Sequence, residues 1–264
     1  MNKQSLGVIV LLFFSVLLGL FIENSEGQLI HKATPEKKYQ PGIVLTFDDN
    51  YIDDWYNADK TLHPYGWKAT FFICKYAWLT KNEKKELHTL QAQGHDIAGH
   101  GYNHENALKY AARYGLNKYI HDEIIPLKAA MSRDGFDISS FAYPDGAGAH
   151  DANLDNYMLK YFSIIRGTTY GELPPDAQYC YYEGERVIYG LGIDTDYRQF
   201  DLEYYKALMD YAKEHNKIVI FYGHKTVNNA TGKLETPLEA LQQICEYAVN
   251  NNLKFYTVDD LRYL

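Results

Sequence analysis

Short apolar runs rich in β-branched and aromatic residues recur between residues 43 and 257. Longer stretches with apolar positions three and four apart lie between them. The first run, Ile43-Val44-Leu45-Thr46-Phe47, stops at Asp48-Asp49-Asn50, a poor continuation of any strand. The pattern predicts further strands at Lys68–Cys74, His95–His100, Ile138–Tyr143, Phe162–Ile165, Val187–Leu191, Lys217–Tyr222 and Lys254–Thr257. Helical periodicity covers Asp53–His63, Asn82–Gln93, Asn153–Lys160, Leu202–His215 and Glu239–Asn250. It also covers a long stretch from about Ala107 to Ser132, broken near Gly115 and Pro126. Thr168–Gly184 is irregular, and Asp259–Tyr263 is a short closing turn. Alternation of this kind predicts an α/β fold: a (β/α) barrel of about seven parallel strands, incomplete or deformed. An open doubly wound sheet is the second choice. No Gly-x-Gly-x-x-Gly follows the first strand, so nucleotide binding has no support.

Composition narrows this picture. With 46% hydrophobic and 23% charged residues among 264, the chain has ordinary globular make-up, and residues 41–264 are the size of one barrel domain. A net charge of -8 provides no basic field for nucleic acid. The 25 tyrosines suit a sugar-binding cleft and suit barrel walls equally well. Residues 1–27 read as a signal peptide: Lys3 opens it, Leu6 to Ile22 is uncharged and apolar, and Ser25-Glu26-Gly27 precedes Gln28. That run is near the lower limit for a bilayer span, so a membrane tether through residues 6–22 is the alternative. Residues 28–40 then form a linker. The chain is expected to be exported, whether periplasmic, secreted or anchored at the cell envelope. Cys74, Cys180 and Cys245 lack C-x-x-C spacing and are expected to be buried thiols.

The candidate chemistry lies where strands end. In a parallel barrel those ends share one face, so residues distant in sequence converge. The first strand brings Asp48 and Asp49, of which one could hold a metal and the other move a proton. The third brings His100 and His104, four apart, which on a helical turn would place both imidazoles on one side. Two His and one carboxylate leave positions open for water and substrate. They suit zinc, with cobalt, iron or nickel also compatible. Tyr143-Pro144-Asp145-Gly146, Asp194 with Asp196, and His224 follow other strands.

Three of these segments resemble the polysaccharide deacetylases of the NodB-homology type, carbohydrate esterase family 4, over about residues 40 to 260. Thr46-Phe47-Asp48-Asp49 resembles the T-F-D-D-G motif, with Asn50 for Gly. His100-Gly101-Tyr102-Asn103-His104 resembles H-[S/T]-x-x-H, with Gly101 for Ser or Thr. Ile220-Phe221-Tyr222-Gly223-His224 resembles the strand that ends near a catalytic His. The resemblance implies a deformed (β/α) barrel and removal of acetyl groups from a sugar polymer. Asp49, His100 and His104 would bind the metal, Asp48 would be the general base, and His224 the general acid. The backbone N–H of Asp145 would face the oxyanion.

Two motifs depart from the family pattern. Where R-x-P-Y-G is expected the chain has Ala142-Tyr143-Pro144-Asp145-Gly146, so the Arg that pairs with the base is missing. Arg166, expected at the end of the next strand, is the candidate replacement. The D-S-x-D-W motif is echoed by Asp194-Thr195-Asp196-Tyr197, one position short. Asp194 would orient His224, or else cap the helix near Leu202. His63, His88, His121 and His215 read as surface residues; His95, just before the metal-site strand, could stand behind the metal ligands, and the sequence does not decide it. Trp55, Trp67, Tyr102 and Tyr222 could form a sugar platform, with wall packing the better role for Trp67. The expected activity is N-deacetylation of an N-acetylglucosamine-containing polysaccharide. The alternatives are an O-acetyl esterase of the xylan type and a non-catalytic glycan-binding relative.

Overall fold

The computed structural model describes residues 39–146 and 148–264. The expected leader, the possible tether at 6–22 and the linker up to residue 38 lie outside the described residues. Among the described residues no helix is long and apolar enough to cross a membrane.

The strands are β1 (Gly42–Asp49), β2 (Ala69–Ile73), β3 (Asp96–Gly99), β4 (Ser140–Ala142), β5 (Ile164–Thr169), β6 (Tyr181–Tyr182), β7 (Val187–Gly192) and β8 (Ile218–Gly223). Seven of them run parallel in the order β1-β2-β3-β4-β5-β7-β8, and β8 pairs back onto β1 from Gly42 to Phe47, which closes the barrel. Helices cover the outside. β6 adds antiparallel to the start of β8, and β11 (Lys254–Tyr256) lies beside Gly42–Val44, below the point where β2 begins to pair at Leu45. β9 (Lys225–Val227) and β10 (Glu235–Pro237) form a separate parallel pair that the apolar pattern did not reveal.

Strand periodicity separates two buried layers. Val44, Phe72, Ala98, Ala142, Ile164, Ile188 and Ile220 belong to one cluster, inside the barrel. Their alternates Leu45, Phe71, Ile97, Phe141, Ile165, Leu191 and Phe221 belong to another, under the helices. The inward set continues upward through Asp48, His100, Arg166 and Tyr222, so the pleat itself aims polar residues at the rim.

Helix starts follow local side-chain capping. Thr80 and Glu83 make a reciprocal capping box before Lys81–Ala92, while Asn106, Asp151 and Asp201 cap Ala107–Tyr114, Ala152–Met158 and Leu202–Glu214. The long stretch from 107 breaks at Gly115, as its sequence predicts, but Pro126 does not end it. The chain takes a π-helical turn over Ile120–Ile124, where the Ile125 N–H reaches back to the Ile120 carbonyl, and Pro126 sits in the first turn of the following helix, Ile125–Arg133. A prolyl nitrogen has no N–H to lose at a helix start, which explains the tolerance.

Candidate active site

Asp48 and Arg166 face each other inside the upper barrel. Arg166 is the third residue of β5, not its end, and its side chain is fully buried. Its Nη2 donates to both Asp48 carboxylate oxygens. Ala142 is the register partner of Arg166 on the neighbouring strand, at the same level of the barrel. The guanidinium therefore enters from one strand over, where a methyl group leaves room for it. The rings of Phe72 and Tyr222 flank it at 5.3 and 5.0 Å.

Asp49 belongs to the opposite set of the pleat and ends β1 at the rim, with φ +85°. Its Oδ1 lies 3.1 Å from His104 Nε2 and 3.7 Å from His100 Nε2, and one ligand atom from each of the three residues falls within 4.8 Å of the others. His100 Nδ1 is 2.9 Å from the Ala142 carbonyl. Only a protonated nitrogen can bond a carbonyl, so Nδ1 carries the proton and Nε2 presents its lone pair to the cluster. A carboxylate and two imidazoles, one already oriented through its far nitrogen, fit a divalent transition metal.

The two histidines are not on a helical turn, contrary to the expectation from their spacing. Residues 100–104 form an irregular loop that turns through Gly101 (φ +90°) and His104 (φ +68°). Burial by itself would raise the Asp49 carboxyl, but the His104 hydrogen bond and the charges of His100 and His224 hold it well below the usual range. Burial would lower His104, and the same hydrogen bond raises it instead. His100 has burial as its largest influence and falls to about 4, so it is neutral and able to ligate at physiological pH.

His224 follows β8. Its Nδ1 lies 2.6 Å from Asp194 Oδ2, its backbone N–H donates to Asp194 Oδ1 at 3.2 Å, and Thr236 Oγ1 donates to that same oxygen. The Trp55 indole donates to the His224 carbonyl at 2.7 Å. These contacts leave Nε2 for the cavity. Burial opposes the charged imidazole, yet the Asp194 hydrogen bond and the Asp48 charge raise it overall. Capping of Leu202–Glu214 falls to Asp201, which leaves Asp194 to His224.

A cavity of about 210 Å³ joins these parts; Asp48, Asp49, His100, His104, Asp145 and His224 all line it. Of the seven non-glycine residues with positive φ among those described, Asp49, His104, Asp145 and Leu234 line this one cavity. Such backbone strain gathers where function demands a particular geometry.

Several expected neighbours lie elsewhere. His95 is a structural residue: its Nε2 meets Asp59 at 3.1 Å, its Nδ1 accepts the Ala69 N–H, and it packs on Trp67. Trp55 and Trp67 are buried and offer no platform, whereas Tyr102 packs beside the exposed Trp78 at 5.0 Å. Asp196 accepts the Leu234 N–H. His63, His88, His121 and His215 are exposed, and all three cysteines are free and buried. Sequence reasoning did not single out Thr168, Tyr170 or Leu234, which also line the cavity beside Tyr197 of the Asp194 motif. Thr168 could have been found: in Ile164-Ile165-Arg166-Gly167-Thr168 it shares the inward face with Arg166.

Residues 35–161 match the family model described as polysaccharide deacetylase, a stretch containing Asp48, Asp49, His100, His104 and Asp145. A gellan lyase from a Bacillus species is 28% identical over 137 residues, which are 50% of this chain but 5% of that protein. Among solved structures, the Xyl-CE4 domain of a multidomain xylanase from the hindgut metagenome of Trinervitermes trinervoides aligns with a TM-score of 0.53 at 20% identity, covering 84% of this chain and 90% of that one. A CE4 esterase from Streptococcus mutans aligns at 0.54 and 19%, covering 83% and 86%. The catalytic domain of a peptidoglycan N-acetylglucosamine deacetylase from Eubacterium rectale aligns at 0.52 and 17%, covering 84% and 90%. At these identities the likeness is one of fold.

Proposed function

The domain is recognised over residues 35–161 as one of the polysaccharide deacetylase family, and from that premise we propose that it is a metal-dependent N-deacetylase of an N-acetylglucosamine-containing polysaccharide. The observation that carries the reading is the convergence of three units on one cavity: the Asp49–His100–His104 donor set, Asp48 paired with Arg166, and His224 paired with Asp194.

Asp49, His100 and His104 would hold a divalent cation, zinc first among the candidates, and it would supply Lewis acidity that lets a nearby water lose a proton near neutrality. Asp48 receives that proton on a carboxylate oxygen as the water attacks the acetyl carbonyl. Arg166 keeps the base in place and balances its charge inside the barrel. The oxyanion that develops has the backbone N–H of Asp145 as a candidate donor from the rim. His224 delivers a proton from Nε2 to the departing sugar nitrogen, and Asp194 on Nδ1 stabilises the imidazolium until that moment. The expected leader at residues 1–27 would place this reaction outside the cytoplasm.

An ester substrate would use the same groups, so the O-acetyl alternative differs in leaving group only. A glycan-binding protein without catalysis would have no need of a buried Arg166–Asp48 pair or a backed His224. The test is acetate release by the purified chain from N-acetylglucosamine oligomers and from acetylated xylan, with zinc or cobalt, beside His104→Ala. Release from the oligomers that chelator and the substitution both abolish is the expected result. Release from xylan alone would make it an esterase, and no release from either would leave a binding protein.

A further inference from the structure

Glu123 is wholly buried and has no part in the chemistry above, yet its carboxylate is the hub of the loop that carries both candidate histidine ligands. The Asn103 N–H donates to its two oxygens at 2.9 and 3.1 Å, Asn103 Nδ2 donates to Oε1 at 2.6 Å, and the Glu105 N–H reaches Oε2 at 3.4 Å. The Tyr102 N–H donates to the Glu123 carbonyl at 3.1 Å. Residues on both sides of His104 are thus tied to one side chain, and His104 keeps its φ of +68° between them.

Two further features adapt the surroundings to this carboxylate. Glu123 lies on the π-helical turn Ile120–Ile124, a local widening of the kind that recurs at functional sites. A Cβ added to Gly101 would stand 2.9 Å from Glu123 Oε2, and Gly101 has φ +90°. The position where the resemblance expects Ser or Thr is therefore closed to a side chain, because a carboxylate from the following helical stretch occupies the space.

We infer that Glu123 is the positioning residue of the metal centre: it holds the His100–His104 loop so that His104 Nε2 meets Asp49, with Gly101 as its necessary partner. The inference rests on the metal-dependent reading of the site. Its test uses the full chain, measuring zinc affinity by competition with a chromogenic chelator and the visible absorption of the cobalt(II) form. Glu123→Gln keeps the shape but sets an NH2 against backbone N–H donors. It should bind zinc about 10–100-fold more weakly and change the cobalt spectrum. Asn103→Ala, at an exposed position, removes only the 2.6 Å contact and should weaken zinc several-fold; it decides the matter if Glu123→Gln does not fold. Leu208→Ala, in a buried helix position remote from the loop, serves as the stability control. Unchanged zinc affinity and spectrum in the loop variants would overturn the inference. So would an equal loss of zinc binding in Leu208→Ala at the same drop in Tm. Tight zinc binding by the wild type without acetate release would remove the deacetylase reading and leave the variants' zinc comparison standing. A wild type that binds no zinc or cobalt would overturn both.

Discussion

The barrel interior carries an aspartate near each end, and the two have opposite surroundings. Asp48, late in β1, faces the Arg166 guanidinium at the rim. Asp96, the first residue of β3, points the same way on the pleat at the base, where it accepts the Thr70 hydroxyl at 3.2 Å and faces another acid, Asp259. Burial, and then the Asp259 charge, push the Asp96 carboxyl up to about 7. The same residue type on the same inward face is thus paired with a guanidinium at one end and set beside another acid at the other. What differs is the partner: Arg166 reaches Asp48 from β5 across the barrel, whereas Asp259 of the C-terminal helix Val258–Leu261 faces Asp96. At the rim, where the strands' C-terminal ends converge, Asp48 lines one cavity with Asp49, His100, His104 and His224.

Removing the rim's reacting groups should have the largest effect. Asp48→Asn and His224→Gln should each lower kcat for acetate release by roughly 10²–10⁴-fold in protein that circular dichroism shows to be folded. Arg166→Met comes next, because it strands a buried carboxylate. It should destabilise the protein by about 3–5 kcal/mol in urea unfolding, and the double variant Asp48→Asn/Arg166→Met should recover part of that loss. Full additivity of the two substitutions would show that the pair is not coupled.

The rim and the base were not equally legible in the sequence. An apolar run that stops at Asp48-Asp49 announces a strand end, and period-two alternation places Asp48 inward. The same alternation carries Arg166 inward opposite Ala142, which is why a missing Arg in one strand could be sought in the next. What the sequence hides is loop conformation. The His100–His104 spacing suggests a helical turn, but left-handed backbone at Gly101 and His104 does the work, and the anchoring Glu123 comes from a helix whose polarity pattern marks nothing unusual. His95 and Trp55 show the converse: residue types that suit a site serve the fold instead, His95 on Asp59 away from the cavity and Trp55 behind it, on the His224 carbonyl.

Smaller effects refine the contrast between the ends. His224 must be protonated to act as the acid, and its hydrogen bond to Asp194 raises it against the burial that would lower it. Asp194→Asn should therefore move the alkaline fall of kcat/KM to lower pH, together with a drop in kcat; an unmoved alkaline limb would remove Asp194 from this role. At the base, Asp96 holds a proton when folded over a range, from about 4 to about 7, in which the unfolded chain has lost it. The folded state binds more protons there, so this group's contribution to stability falls as pH rises through that window. Asp96→Asn should gain Tm over the wild type progressively between pH 5 and pH 8, by a few degrees, and leave acetate release unchanged. A constant Tm difference across that range would contradict the assignment.

The pH profile of kcat/KM for Arg166→Lys, on whichever acetylated substrate the wild type hydrolyses, tests the central claim that β5 supplies the charge partner of the base. A lysine keeps the charge but cannot reproduce the planar contact with both Asp48 oxygens. The account predicts a fall of about 10-fold or more in kcat/KM and a profile that differs from the wild type's. An unchanged rate with an unchanged profile would mean that Asp48 works without Arg166, and the claim would be wrong.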